Sequence, residues 1–238
     1  DFKTRLEYYT CERKYMIYPT IRVDNFFKKF DLVKEWANSL EYLPNIGTYP
    51  GHRTRSLHEI DPLFFQNTTR KIAAILFPND YIDMSWSANM HFQKTDPKIY
   101  PGPGFIHQDH STLEFAMILY LDGDVEAGTS IFRPKGISVD REGYVDFKSK
   151  CYKNPEMMKT DAFKQAVHKH NSQFEELACY NAIPNSMILF DTGLDHGVKD
   201  FGTKERLTMV AFFGFAERDK RKNRAMKYPL IELSRCST

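Results

Sequence analysis

Between residues 84 and 215 the chain is a succession of short apolar or alternating segments, each closed by turn-forming residues, and this period limits the fold more than any other feature. Met84, Trp86, Ala88, Met90 and Phe92 alternate with mostly polar neighbours, as in a half-buried strand. After a Pro/Gly loop at Pro101–Gly104, Phe105–Asp109 reads as a short strand and Leu113–Leu121 as a longer, more apolar one. Gly128–Phe132 and Ser186–Asp191 are further short strands, and Arg206–Phe215, nearly all apolar, reads as a central, well-covered strand. Several short strands set off by turns predict a sandwich or barrel.

The amino-terminal third has a different period. Lys14–Val23 reads as a strand. Asp31 is placed to cap a helix over Leu32–Leu40, with Leu32, Val33, Trp36, Ala37 and Leu40 on one face. Pro50-Gly51 marks a loop. A second amphipathic helix is expected over Asn67–Phe77, burying Ile72, Ile75 and Leu76 and stopped by Pro78. The expected fold class is therefore mainly β with flanking helices (α+β), in one domain spanning residues 1–238. Within it, residues 1–80 carry a strand and helices, and residues 81–217 carry the β core. The polar, lysine-rich stretch 137–181, with a helix near Asp161–His170, reads as an insertion and a candidate lid, and residues 218–238 form a basic tail.

Composition narrows the function classes. With 42% hydrophobic residues, 27% charged residues and a net charge of +2, the chain is not of the disordered type. No apolar run approaches the ~18 residues of a membrane-spanning helix, so no membrane partner is expected. The near-neutral charge gives no global field for nucleic acid. The cysteines, at positions 11, 151, 179 and 236, form no C-x-x-C pair and read as free thiols of a reducing compartment. The chain opens on Asp1 without a signal-peptide pattern, which reads as a trimmed cytoplasmic protein.

Chemistry concentrates in His107-Gln108-Asp109 and His196. Residues i and i+2 of a strand share a face, so His107 and Asp109 aim an imidazole and a carboxylate the same way. His196, just beyond another apolar strand, adds a second imidazole. Two histidines and one carboxylate cover one face of an octahedral ion and leave its other positions open, the ligand set of non-haem Fe(II) oxygenases. Arg206, ten positions after His196, offers a planar guanidinium suited to a carboxylate. Of the other histidines, His110 points to the opposite face, and His168 and His170 share no helix face. His91, Asn89 and Gln93 either line the cavity or face solvent. Arg53 and Arg55 read as surface residues that can reach an acidic substrate.

These residues, with Tyr100-Pro101-Gly102, Leu119-Tyr120-Leu121-Asp122, Ala127-Gly128-Thr129-Ser130, His196-Gly197-Val198 and Arg206-Leu207-Thr208, resemble the 2-oxoglutarate- and Fe(II)-dependent oxygenases, specifically the prolyl-4-hydroxylase-like branch. The resemblance spans roughly residues 84–215. It implies a double-stranded β-helix (jelly roll, cupin-like) with amino-terminal support helices. It also implies Fe(II) held by His107, Asp109 and His196, and 2-oxoglutarate paired with Arg206 and contacted by Tyr120, Tyr100 and Thr208. Dioxygen is then the oxidant, with ascorbate as an accessory reductant. The implied reaction hydroxylates a C–H bond of a peptide, amino acid or small molecule and releases succinate and carbon dioxide. A carboxylate at position 109, where related halogenases have a small residue, points to hydroxylation. Two other readings stand beside it: a non-enzymatic jelly-roll binding module, and an oxygenase of nucleic-acid bases that uses the basic tail as a phosphate contact. The oligomeric state is left open.

Overall fold

In four strands of the larger sheet the side chains divide by parity, and that division builds the molecule. The computed structural model describes residues 20–44, 49–78, 85–109, 113–136, 139, 142–216 and 230–232. In chain order the elements are β1 (Ile21–Val23), α1 (Phe30–Ser39), β2 (His52–Arg53), α2 (Leu57–Ile60), α3 (Pro62–Leu76), β3 (Ser85–Thr95), β4 (Phe115–Asp122) and β5 (Thr129–Pro134). There follow α4 (Glu142–Lys153), a 3₁₀ turn (Pro155–Lys159), α5 (Asp161–Asn171), β6 (Phe174–Tyr180), β7 (Met187–Asp191), β8 (Asp195–Gly197), β9 (Arg206–Ala216) and β10 (Leu230–Glu232). Among the described residues they form two antiparallel sheets. The larger runs β1-β7-β4-β9-β3-β10, with β2 also on β3, and the smaller runs β6-β5-β8.

One face of the larger sheet carries Ala88, Met90 and Phe92 of β3, Phe115, Met117, Leu119 and Leu121 of β4, Met187 and Leu189 of β7, and Leu207, Met209, Ala211 and Phe213 of β9. All are buried against the helices, where Phe65, Ile72 and Ala73 of α3 and Val33, Trp36 and Ala37 of α1 meet them. Trp36 stands edge-on to Phe92 at 5.3 Å and to Phe64 at 4.8 Å. The alternate residues face the smaller sheet, where Ala116, Tyr120, Ile188 and Phe190 meet Ile131 of β5. A third cluster, Tyr100, Phe105, Cys151, Tyr152, Met158, Phe163, Val167 and Phe201, fastens α4 and α5 to the loops beside that inner layer.

The local differences from the sequence reading have physical causes. Helix α1 starts at Phe30 after Lys29, which makes no side-chain capping bond, and Asp31 sits in its first turn. The buried stripe is Val33, Trp36, Ala37 and Leu40, while Leu32 points outward at 59% exposure. Helix α3 begins five residues before the expected Asn67, because Asp61 caps it by accepting from the Phe64 amide at 2.9 Å and Pro62 occupies its first turn. The strand expected over Phe105–Asp109 is instead one isolated bridge, His107 to His196. Stretch 137–181 holds α4 as well as the expected helix at α5, and its last segment, β6, pairs along β5. Residues 14–19, Met84, His110, Cys11, Cys236 and the basic run 218–227 lie outside the described residues. Cys151 and Cys179 are free thiols. No helix among the described residues is long and apolar enough to cross a membrane.

Leu119 is fully buried in the helix-side layer, so its truncation leaves a cavity among packed apolar neighbours. Leu119→Ala should cost about 2–5 kcal/mol, read as a lower denaturation midpoint at unchanged m-value.

Candidate metal and 2-oxo acid site

The inner layer encloses a cavity of about 340 Å³, the size of a small-molecule site. At one part of its wall the structure brings together His107, Asp109 and His196, whose ligand atoms lie within 4.8 Å of one another. Nε2 of His196 is 3.4 Å from one carboxylate oxygen of Asp109, and Nε2 of His107 is 3.8 Å from the other. Bonds of about 2.0–2.2 Å to one ion define a slightly tighter triangle, which side-chain adjustment can close.

The backbone sets this arrangement. The amide of His107 donates to the carbonyl of His196 and the amide of His196 donates to the carbonyl of His107, both at 2.9 Å. The Asp109 amide donates to the Thr192 carbonyl at 3.0 Å. Ring orientation follows the same economy. Nδ1 of His107 lies 2.8 Å from the Phe105 carbonyl, and Nδ1 of His196 lies 2.9 Å from the Leu194 carbonyl. A carbonyl only accepts, so each neutral ring carries its proton on Nδ1 and presents a lone pair at Nε2. That is the tautomer a metal requires, fixed by a hydrogen bond on the far nitrogen. The ring of Phe190 lies 4.7 Å from that of His196 and supports it.

Elsewhere in the same cavity lies Arg206, 3% exposed, whose Nε donates to the carbonyl of Ala127 at 2.9 Å. Beside it, behind the lining, are Tyr120 and Thr208, cross-strand partners with no exposed surface, the Tyr120 ring 5.4 Å from the guanidinium carbon, while Thr129 of the smaller sheet lines the cavity. Arg206 Nη2, Tyr120 Oη, Thr129 Oγ1 and Thr208 Oγ1 are all buried, and none completes a hydrogen bond of normal geometry within the protein. Burial lowers the guanidinium from its ordinary pKa, opposed by the neighbouring phenol. Burial raises the Tyr120 phenol, with Arg206 and Thr129 pulling the other way. Buried polar groups are normally satisfied. Arg206 Nη2 and the three hydroxyls beside it, none satisfied by a hydrogen bond of normal geometry, fit a small ligand with a carboxylate, which can accept from them. A metal site and a carboxylate site in one cavity fit a metal-chelating 2-oxo diacid, and the residues present suit both groups.

Tyr100 takes no part. It is buried in the aromatic cluster under α4, edge-on to Tyr152 at 6.1 Å, and does not line the cavity, because the compact 101–104 loop turns the chain away. Asn89 and Gln93 do line it. His91, on the same face, is covered by the next segment, with Nδ1 2.9 Å from the Thr54 carbonyl. Burial holds its imidazole below the usual histidine range, and the charge of Arg53 adds to that effect. His168 is exposed, whereas His170 is buried and donates to the Ile106 carbonyl at 2.7 Å. Arg55 is exposed, but Arg53 faces the cavity. Sequence reasoning missed Lys148, Tyr152 and Thr129 as lining residues. The spacing of Lys148 and Tyr152, one turn apart on a helix, is the signal that could have found the first two.

Solved structures share this fold at low sequence identity. HygX from Streptomyces hygroscopicus, solved with nickel and 2-oxoglutarate bound, superposes with a TM-score of 0.52 at 12% identity, covering 89% of this chain and 92% of that one. EvdO2 from Micromonospora carbonacea var. aurantiaca gives a TM-score of 0.52 at 10% identity, covering 83% and 87%. An oxidoreductase of the 2OG-Fe(II) oxygenase family from Burkholderia pseudomallei gives 0.46 at 11% identity, covering 82% and 84%. No curated protein matches the chain in sequence. Residues 10–199 match one family model, and the chain belongs to that family, a family of unknown function (DUF6445).

The orphaned guanidinium implies a stability test. Arg206→Met removes a buried charge but also leaves the Ala127 carbonyl without its donor, and the two effects oppose. The variant without ligand should unfold within about 1 kcal/mol of the parent despite the complete burial of the site, measured by denaturant titration.

Proposed function

We propose that this protein is an Fe(II)- and 2-oxoglutarate-dependent dioxygenase that hydroxylates a C–H bond of a small-molecule, amino-acid or peptide substrate. The observation that carries the reading is one cavity holding both a His107–Asp109–His196 set, with ligand atoms within 4.8 Å of one another, and a buried guanidinium beside hydroxyls that lack normal hydrogen bonds. On this reading the fold serves as a double-stranded β-helix, and the motifs resemble those of the prolyl-4-hydroxylase-like branch.

Iron with 2-oxoglutarate supplies an oxidation in which dioxygen is consumed, the oxo acid becomes succinate and carbon dioxide, and one oxygen atom enters the substrate C–H bond as hydroxyl. The rest falls to the chain. His107 and His196 hold the ion through Nε2, and Asp109 contributes one negative charge to a dication. Arg206 pairs with the carboxylate remote from the metal, and the hydroxyls of Tyr120, Thr129 and Thr208 donate hydrogen bonds to it. The apolar residues around them, Ile131, Ile188 and Phe190, keep water from that end and strengthen the pairing. With Asp109 in the ligand set, no ligand position is left to a halide.

Two measurements test this. Succinate release should require both Fe(II) and 2-oxoglutarate, and His107→Ala or Asp109→Ala should reduce it to background; release that persists in those variants rejects the assignment. In parallel, 2-oxoglutarate at 100 times its dissociation constant should stabilise the metal-loaded parent by about 2.7 kcal/mol and leave Arg206→Met unmoved.

A further inference from the structure

Beyond the groups assigned to metal and 2-oxoglutarate, the cavity lining contains an excess of positive charge. Among the described lining residues Asp109 is the one carboxylate, while Arg53, Lys148 and Arg206 are cations. Formal charges can be added, on the reading of the site just given. A divalent ion offsets Asp109 and the chelating carboxylate of 2-oxoglutarate, and Arg206 offsets the remote carboxylate. The inner part of the site is then neutral, and the charges of Lys148 and Arg53 lie outside that balance.

The placement of Lys148 is specific. On α4, Lys150 and Lys153 are exposed, whereas Lys148 is half-buried on the cavity side, one turn before Tyr152, which also lines the cavity. It makes no hydrogen bond or ion pair with a described residue, although surface lysines of this chain find acids: Lys34 with Asp122, Lys94 with Glu205, Lys199 with Glu176. The carboxylate that acts on Lys148 is that of Asp109, which on the proposed reading is taken up by the metal, and holding an ammonium in a partly dehydrated wall without a hydrogen-bonded counter-charge is unfavourable. Arg53 is held in place on the same lining. Its Nε donates to Gln93 Oε1 at 2.7 Å, Gln93 Nε2 donates to the Pro50 carbonyl at 2.9 Å, and the Tyr49 ring lies 3.7 Å from the guanidinium carbon. The rest of this part of the wall is apolar or aromatic: Phe105, Tyr152, Val198 and Phe201.

We propose that the substrate is a small organic anion, a carboxylate or phosphate on an apolar body, with Lys148 as its principal counter-charge and Arg53 as a second contact. The apolar body then lies along the aromatic wall, and the anionic head fixes which carbon faces the metal. This narrows the substrate class of the proposed dioxygenase and rests on that reading.

The test uses the full chain loaded with nickel and saturating 2-oxoglutarate, so that binding is read without turnover. 3-Phenylpropionate, phenyl phosphate and the neutral 3-phenylpropionamide are titrated by calorimetry. The expected result is that at least one anion binds about ten-fold more tightly than the amide. Lys148→Met should shrink that preference to about two-fold or less, and Lys148→Arg, which keeps the charge, should retain it. Which anion binds better distinguishes a carboxylate from a phosphate substrate. Equal affinity of anion and amide, binding of neither anion at millimolar concentration, or a preference that survives Lys148→Met overturns the proposal. The first titration separates the two readings: failure of the nickel-loaded parent to bind 2-oxoglutarate removes the proposed function itself, whereas normal 2-oxoglutarate binding without anion preference removes this inference alone.

Discussion

The two-residue period of the strands is the constraint on which everything else depends. In β9, Leu207, Met209, Ala211 and Phe213 seal the helix-side core, so Arg206, Thr208, Val210 and Phe212 must face inward. In β4 the same rule sends Leu119 and Leu121 to the helices and Tyr120 to the interior. A shift of one residue in either strand would put an arginine into the apolar layer and a leucine into the site. The register between the two strands is therefore a chemical specification as well as a structural one. Tyr120 opposite Thr208 places two hydroxyls beside a guanidinium because those strands pair as they do.

Polar interior groups are expensive, and here they are concentrated. The orphaned atoms around Arg206 are the interior's main departure from complete satisfaction, and the carbonyl of Ala127 meets only one of the guanidinium's needs. Gly128 contributes to that placement. A Cβ there would lie 2.0 Å from the Tyr180 carbonyl, so only glycine allows β6 to approach β5 at this point. The metal-ligand set carries little such cost, since each histidine spends its proton on a nearby carbonyl.

Much of this was legible from the residues. Strands β3, β4, β7 and β9 of the larger sheet announced themselves through composition and period, whereas the short β2 and β10 did not, and the facing of Arg206 and Thr208 followed from two-residue spacing. Other features were not legible, for identifiable reasons. Tyr100 matched a motif by position, but motif position does not specify the direction in which a compact loop sends a ring. The Phe105–Asp109 segment has a strand-like composition, yet only His107 finds a bridging partner there. Helix α1 was placed two residues late because a capping residue was sought where none acts. Lys148 was hidden in a lysine-rich stretch whose composition reads as solvated surface. Its importance comes from long-range packing of α4 on Phe105 and Phe201, to which no local pattern refers.

The reciprocal main-chain hydrogen bonds between His107 and His196 link two segments far apart in sequence into one rigid ligand-bearing unit. His170 and Asn171, at the end of α5, tie the approach to that unit through Ile106 and Gly104. On the proposed assignment, main-chain pairing brings the candidate ligand nitrogens together, so that metal binding would demand little conformational entropy.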